Sequence, residues 1–143
     1  MKQNVRDFII KNHEKGLTCK AYLYSFYYRF CIDHLKMSRI EKMMGARGGQ
    51  SSFEEKQENI EYAKLVTFHV NRVTEHMPWK AKCFTRSLTI ASLLKKRGIE
   101  STIYLGVAEE GNGISAHSWI RCGNWYLTDP LLDKFTTVAM FKF

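Results

Sequence analysis

The chain has 143 residues, 45% of them apolar and 25% charged, which fits one globular domain and excludes a disordered chain. No apolar run reaches the 18 or so residues a membrane span needs, and the start Met1-Lys-Gln-Asn-Val-Arg-Asp7 lacks a signal peptide's apolar region, so a cytosolic protein is expected. The net charge of +8 suggests an anionic partner, but the cations are scattered and no nucleic-acid motif accompanies them. A solvated basic surface explains the charge equally well.

In chain order, residues 5–14 read as a short helix closed by Gly16, and residues 18–36 as a longer one. The second carries Tyr22, Leu23, Tyr24, Phe26, Tyr27, Tyr28, Phe30, Ile32 and Leu35, apolar nearly all round, which calls for burial or a partner surface. The turn-rich stretch Gly45-Ala-Arg-Gly-Gly-Gln-Ser-Ser52 then separates an N-terminal helical part, residues 1–45, from a core at 52–143. We expect a single domain over 1–143, with the N-terminal helices contacting partners. Ser52-Phe-Glu-Glu55 has the form of a capping box, and a helix is expected from there to about Glu75, stopped by Met77-Pro78-Trp79.

The next helix begins at Cys83. On a wheel of about 100° per residue, Ser87, Ile90, Ala91 and Leu94 share its side, and Thr85, Thr89, Ser92 and Lys96 lie opposite. Lys95-Lys96-Arg97-Gly98 ends it with cations and a glycine. After Gly98 the period changes to two. Residues 102–107, 115–122 and 125–129 read as strands, with a turn at 109–113, a hairpin signal at Gly123-Asn124 and a short last strand at 136–143. Helices followed by antiparallel strands argue an α+β fold.

The start of the Cys83 helix is unusual. Pro78-Trp79-Lys80-Ala81-Lys82 offers no capping side chain, and Lys80, Lys82 and Arg86 oppose the helix dipole. The pattern makes sense if the anion at that end is a thiolate, which helix N–H groups and nearby cations favour. The same N–H groups can receive an oxyanion. A structural cysteine with basic neighbours remains the alternative. The other three cysteines, Cys19, Cys31 and Cys122, read as small core residues, and without a Cys-x-x-Cys pair no zinc site or cofactor is expected.

A thiolate nucleophile needs a base, and the base needs an orienting group. His13, His34, His69 and His76 lie in helical segments and read as surface or interface residues, whereas His117 sits mid-strand in Ala116-His117-Ser118-Trp119-Ile120. Asp129 ends the strand after the hairpin, before Pro130; it either orients His117 or merely starts a turn. Register decides between the two. A three-residue loop at 122–124 sets His117 opposite Asp129, with Cβ atoms about 4.5–5.5 Å apart. A two-residue turn at Gly123-Asn124 pairs Cys122 with Trp125 and turns Asp129 away. A Cys83–His117–Asp129 triad therefore requires the odd loop.

Pro78-Trp79-Lys80-Ala81-Lys82-Cys83, Arg97-Gly98-Ile99, Leu105-Gly106-Val107, Ala116-His117-Ser118-Trp119 and Asp129, in this order and spacing, resemble the lasso-peptide leader peptidases of the transglutaminase-like superfamily. The resemblance covers about residues 76–130; Ser118 departs from it, standing where a small apolar residue is commoner. It implies a transglutaminase-like, papain-like core with a small antiparallel sheet on the helix that starts at the catalytic cysteine. It implies Cys83 as nucleophile, His117 as base and Asp129 as orienting acid. It also implies a lasso precursor as substrate, a separate leader-recognition protein, and an ATP-dependent lasso cyclase acting on the freed core peptide. The Cys83 N–H would serve the oxyanion, with Trp79 or its loop as a second donor. Two rivals stand: a transglutaminase or acyltransferase using the same triad, and a non-catalytic scaffold that docks peptide through residues 18–36.

Overall fold

The computed structural model describes residues 15–76 and 83–143. The expected helix at 5–14, and the segment that holds Trp79, Lys80 and Lys82, lie outside the described residues. The elements are α1 (Lys15–His34), α2 (Met37–Met43), β1 (Ala46–Arg47), α3 (Gln57–His76), α4 (Cys83–Lys95), β2 (Thr102–Glu110), β3 (Gly113–Cys122), β4 (Trp125–Tyr126) and β5 (Thr136–Lys142). The strands form one antiparallel sheet in the order β1-β5-β2-β3-β4. The fold is thus mixed, helices with an antiparallel sheet.

α4 is the central helix, packed between the sheet and the pair α1 and α3. Residues from Leu88 to Leu94 are all buried, so the polar side expected to face water is inside. The reason lies in the partner. α1 turns an inward stripe of Thr18, Ala21, Ser25, Tyr28 and Cys31 toward α3 and α4, spaced three and four residues apart. Ser25 Oγ meets Thr89 Oγ1 at 3.4 Å, and the Tyr28 hydroxyl meets that of Ser92. These small polar contacts let the helices approach closely and pair hydroxyls that burial would otherwise strand. Burial holds the Tyr28 hydroxyl above the usual tyrosine pKa, partly offset by its bond to Ser92. Thr18 Oγ1 and His69 Nδ1 are bonded at 3.2 Å, so His69, expected at the surface, is a core residue. Other large apolar positions of α1 point the other way: Leu23, Phe26 and Phe30 are more than half exposed.

Several boundaries differ from expectation. The helix expected at 18–36 is α1, which starts earlier, at Lys15, and ends at His34; the short α2 follows it from Met37. The Ser52 hydroxyl accepts the Glu54 N–H at 3.1 Å, forming a local turn, and α3 starts only at Gln57. Glu55 serves that start instead, accepting the Lys56 N–H and the Asn59 side chain. The close of α4 is as read: Gly98 has φ +71, the Ile99 N–H reaches the Leu94 carbonyl, and the Gly98 N–H reaches that of Lys95, a Schellman closure.

The sheet is covered on both faces. Ile103, Ile120, Cys122 and Phe141 join the helices in the main core. Tyr104, Trp119 and Phe135 form a second cluster on the opposite face. Here the register is the two-residue alternative and not the odd loop that a side-chain triad requires. Cys122 pairs with Trp125 and Arg121 with Tyr126, so the turn is the two residues Gly123-Asn124, and β4 stops at Tyr126 rather than running to Asp129. Gly123 supplies a positive φ of 56°, and a Cβ there would lie 2.7 Å from Glu55 Cβ, so the turn is both left-handed and pressed on the loop before α3.

Candidate active site around Cys83 and His117

Cys83 is the first residue of α4 and is half-buried. The other thiols have other settings. Cys19 is exposed rather than a core residue, while Cys31 and Cys122 are buried. Loss of hydration pushes the Cys122 thiol up to about 11, which leaves it a neutral, unreactive group. Arg86 stands one turn beyond Cys83 on a neighbouring line of the helix, half-buried, and its Nε finds no hydrogen-bond partner among the described residues. Cysteine and arginine thus share the first turn with no acidic side chain in it.

Cys83 borders a hollow of about 380 Å³ that His117 also lines. It lies on the half of the sheet near Val107 and Ala116, where the helices leave the strands uncovered. Strand alternation divides β3 at this point. The Ser118 hydroxyl donates to Ser87 Oγ of α4 at 3.0 Å, so Ser118 faces the helix. The His117 ring leaves the other face, 5.0 Å from the Phe135 ring and 5.8 Å from that of Trp119. No hydrogen bond joins Cys83 to His117 among the described residues.

His117 and Asp129 do meet, by a route that pairing alone would not provide. β4 ends after two residues, and the chain beyond it bends back over β3: the Leu127 N–H donates to the Ile120 carbonyl, and the Ile120 N–H to Thr128 Oγ1. This brings the main-chain carbonyl of Asp129 to 2.8 Å from His117 Nε2. A carbonyl oxygen can only accept, so Nε2 is the donor; in the neutral ring this leaves the lone pair on Nδ1, the form a general base requires. The Asp129 carboxylate is used elsewhere. Its Oδ1 accepts the Leu131 N–H at 3.0 Å, bracing an Asp-Pro turn in which Leu131 takes φ +47.

The structure therefore places Cys83 and His117 on one hollow and His117 on Asp129 through the main chain. It joins neither the sulfur to the imidazole nor the imidazole to the carboxylate. Among the described residues no group of three or more His, Cys, Asp or Glu side chains could hold a metal ion, and no helix is long and apolar enough to cross a membrane.

Sequence reasoning missed Arg121. It is 1% exposed, yet its guanidinium donates to the Tyr104 hydroxyl at 2.9 Å, the Ser51 carbonyl at 2.9 Å, the Ser52 carbonyl at 3.3 Å and the Gly123 carbonyl. It lies 3.8 Å from the Phe53 ring centroid. The available signal was a cation alternating with apolar residues next to a hairpin turn.

A sequence profile of the transglutaminase-like superfamily matches residues 32–140. The chain belongs to that superfamily, which includes cysteine peptidases and acyltransferases. No curated protein and no solved structure matches the chain.

Proposed function

We propose that the protein is a cysteine peptidase that removes the leader from a ribosomally made lasso-peptide precursor. It would act with a separate leader-recognition protein and ahead of an ATP-dependent cyclase. The observation that supports this best is Cys83 at the start of α4, lining a hollow that His117 also lines, in a transglutaminase-like chain. The motif order around Cys83, His117 and Asp129 resembles that of leader peptidases and favours this reading within the superfamily.

In the proposed reaction the Cys83 thiol proton passes to His117 Nδ1 as the sulfur attacks the scissile carbonyl. The Cys83 N–H, at the helix start, receives the oxyanion. His117 returns the proton to the departing amine of the core peptide, leaving the leader as a thioester. The same imidazole then takes a proton from water, which adds to the thioester and releases the leader as a free acid and the thiol restored. Asp129 holds the imidazole in the Nε2–H form through its carbonyl. The sulfur–imidazole contact that this chemistry needs is absent among the described residues, where the His117 ring leaves the sheet face opposite α4, and we assign the rearrangement that joins the two to the complex with leader and partner.

The test is cleavage of the precursor in the presence of the leader-recognition protein, followed by mass spectrometry. Cys83→Ala should give no cleavage, and Cys19→Ala, Cys31→Ala and Cys122→Ala should retain it. Undiminished cleavage by Cys83→Ala would end this reading. The mass of the released leader also separates hydrolysis from transfer. A free acid supports the peptidase, and an amide formed with added methylamine supports an acyltransferase. The exposed Leu23, Phe26 and Phe30 face of α1 favours a second role, docking of a protein partner, which would survive the loss of Cys83.

A further inference from the structure

We propose that the hollow beside Cys83 is a specificity subsite for an apolar side chain on the acyl side of the scissile bond. The peptide bearing it would run extended along the free edge of β5. This rests on Cys83 as the nucleophile and names the substrate class that the nucleophile accepts.

The lining comes from five elements: Met37 of α2, Phe84 of α4, Leu105 and Val107 of β2, Ala116 of β3 and Val138 of β5. Among the described residues no Asp, Glu, Lys or Arg lines it, and the hydroxyl proton of Ser118 is already given to Ser87. A charged side chain entering this space would lose its water and find no counter-charge, whereas an apolar one gains by burial. At about 380 Å³ the hollow falls in the range of small-ligand sites, about 300–1,000 Å³. Because Cys83 is itself part of the wall, an acyl group held on the sulfur places its nearest side chains there.

A second observation points to a peptide rather than a small acyl donor. β1 pairs only with Phe141 and Lys142 of β5, and the Gly48 N–H takes the Met140 carbonyl. Among the described residues no strand pairs with residues 136–139 on that edge. The register slips between Leu105 and Gly106, which pair with Ala139 and Thr137, so Val138 bulges. Val138 is 58% exposed and belongs both to the free edge and to the hollow. A strand added to that edge gains main-chain hydrogen bonds while presenting alternate side chains to neighbouring pockets.

The experiment alkylates the full chain with N-acetyl-aminoacyl chloromethyl ketones carrying Leu, Phe, Lys or Asp side chains, with iodoacetamide as the unselective reference. Rates at each cysteine are read by mass spectrometry of peptides from the labelled chain. The Leu and Phe reagents should modify Cys83 at least about tenfold faster than the Lys and Asp reagents, once each rate is divided by that of free cysteine. Val138→Arg and Ala116→Glu, exposed positions on two different strands, should each bring that preference close to one. Equal rates for all four reagents at Cys83, or a preference unchanged in both variants, would overturn the subsite and leave the nucleophile standing. With the leader and the leader-recognition protein added, iodoacetamide modifying Cys83 no faster than the exposed Cys19 would overturn both.

Discussion

The two ends of the sheet are built by opposite rules. At the Thr102 and Arg121 end, a buried cation gathers carbonyls from Ser51, Ser52 and Gly123 and the hydroxyl of Tyr104, and Ser51 is bonded to Thr102 Oγ1 at 2.8 Å. At the Val107 and Ala116 end, the wall is apolar and the helices draw back to leave a hollow. The first end ties together segments far apart in sequence, with no carboxylate among the hydrogen-bond partners of Arg121. The second keeps a thiol half-exposed at a helix start. A fold can leave one end open to chemistry when the other end is closed by bonds that cannot be traded for water.

That contrast is broken most severely at Arg121. Arg121→Met leaves the Ser51 and Gly123 carbonyls buried without donors, and should lower the unfolding free energy by about 3–5 kcal/mol, measured by urea denaturation. Arg121→Lys should recover little, because a single ammonium cannot reproduce the planar fork. Val138→Arg, at the open end, should change stability by no more than about 0.5 kcal/mol. A loss below about 1 kcal/mol for Arg121→Met would mean that the two ends do not differ as described.

Gly106 sits between the two ends and is the next most sensitive position. A Cβ there would lie 2.7 Å from Trp119 Cζ3 and 3.2 Å from Phe135 Cβ. Gly106 pairs with His117 across the ladder, and Phe135 is the ring packed nearest His117. Gly106→Ala should cost about 1–3 kcal/mol through overpacking. It should also alter the near-ultraviolet circular dichroism of Trp119. Unchanged stability would show that the aromatic cluster yields freely.

What could be read from the sequence follows how local the physics is. The Cys83 helix start and its Gly98 close were legible, because caps depend on a few consecutive residues. The period-two run that became β2 and β3 was legible for the same reason. The buried Thr89 and Ser92 were not, since a hydroxyl on α4 looks solvent-facing until Ser25 and Tyr28 of α1 supply partners. The hairpin register stayed open in the sequence because one extra loop residue decides whether side chain meets side chain; the chain takes the two-residue turn and brings main chain to side chain. Asp129 lies beside His117 through its carbonyl, while the carboxylate expected to orient the ring answers to Leu131.

Cys122 gives a smaller effect with a definite sign. It is buried at the closed end, where loss of hydration raises the folded thiol to about 11. In the unfolded chain an ordinary thiol ionises near 8.5. The unfolded state therefore gives up its proton first. The stabilisation is complete below about pH 8.5 and is lost as pH rises through 11. The urea midpoint should fall across this window, and Cys122→Ala should show a shallower fall, by up to one proton. An identical slope in the variant would mean that other groups, such as the buried Tyr28, carry the whole dependence.

The smallest expected effect is at Asp129, and it is informative because it is small. Asp129→Asn keeps the main-chain carbonyl that holds His117 Nε2, and its side-chain oxygen can still accept the Leu131 N–H. Precursor cleavage should then stay within about tenfold of the natural chain, whereas loss of a carboxylate that orients a base costs about 10⁴ in rate. Asp129→Gly removes the side chain and frees the turn, so the carbonyl loses its fixed position and cleavage should fall further than in Asp129→Asn. If Asp129→Asn is as damaged as His117→Ala, the carboxylate swings onto the imidazole in the working complex. The carbonyl contact would then belong to the resting chain alone.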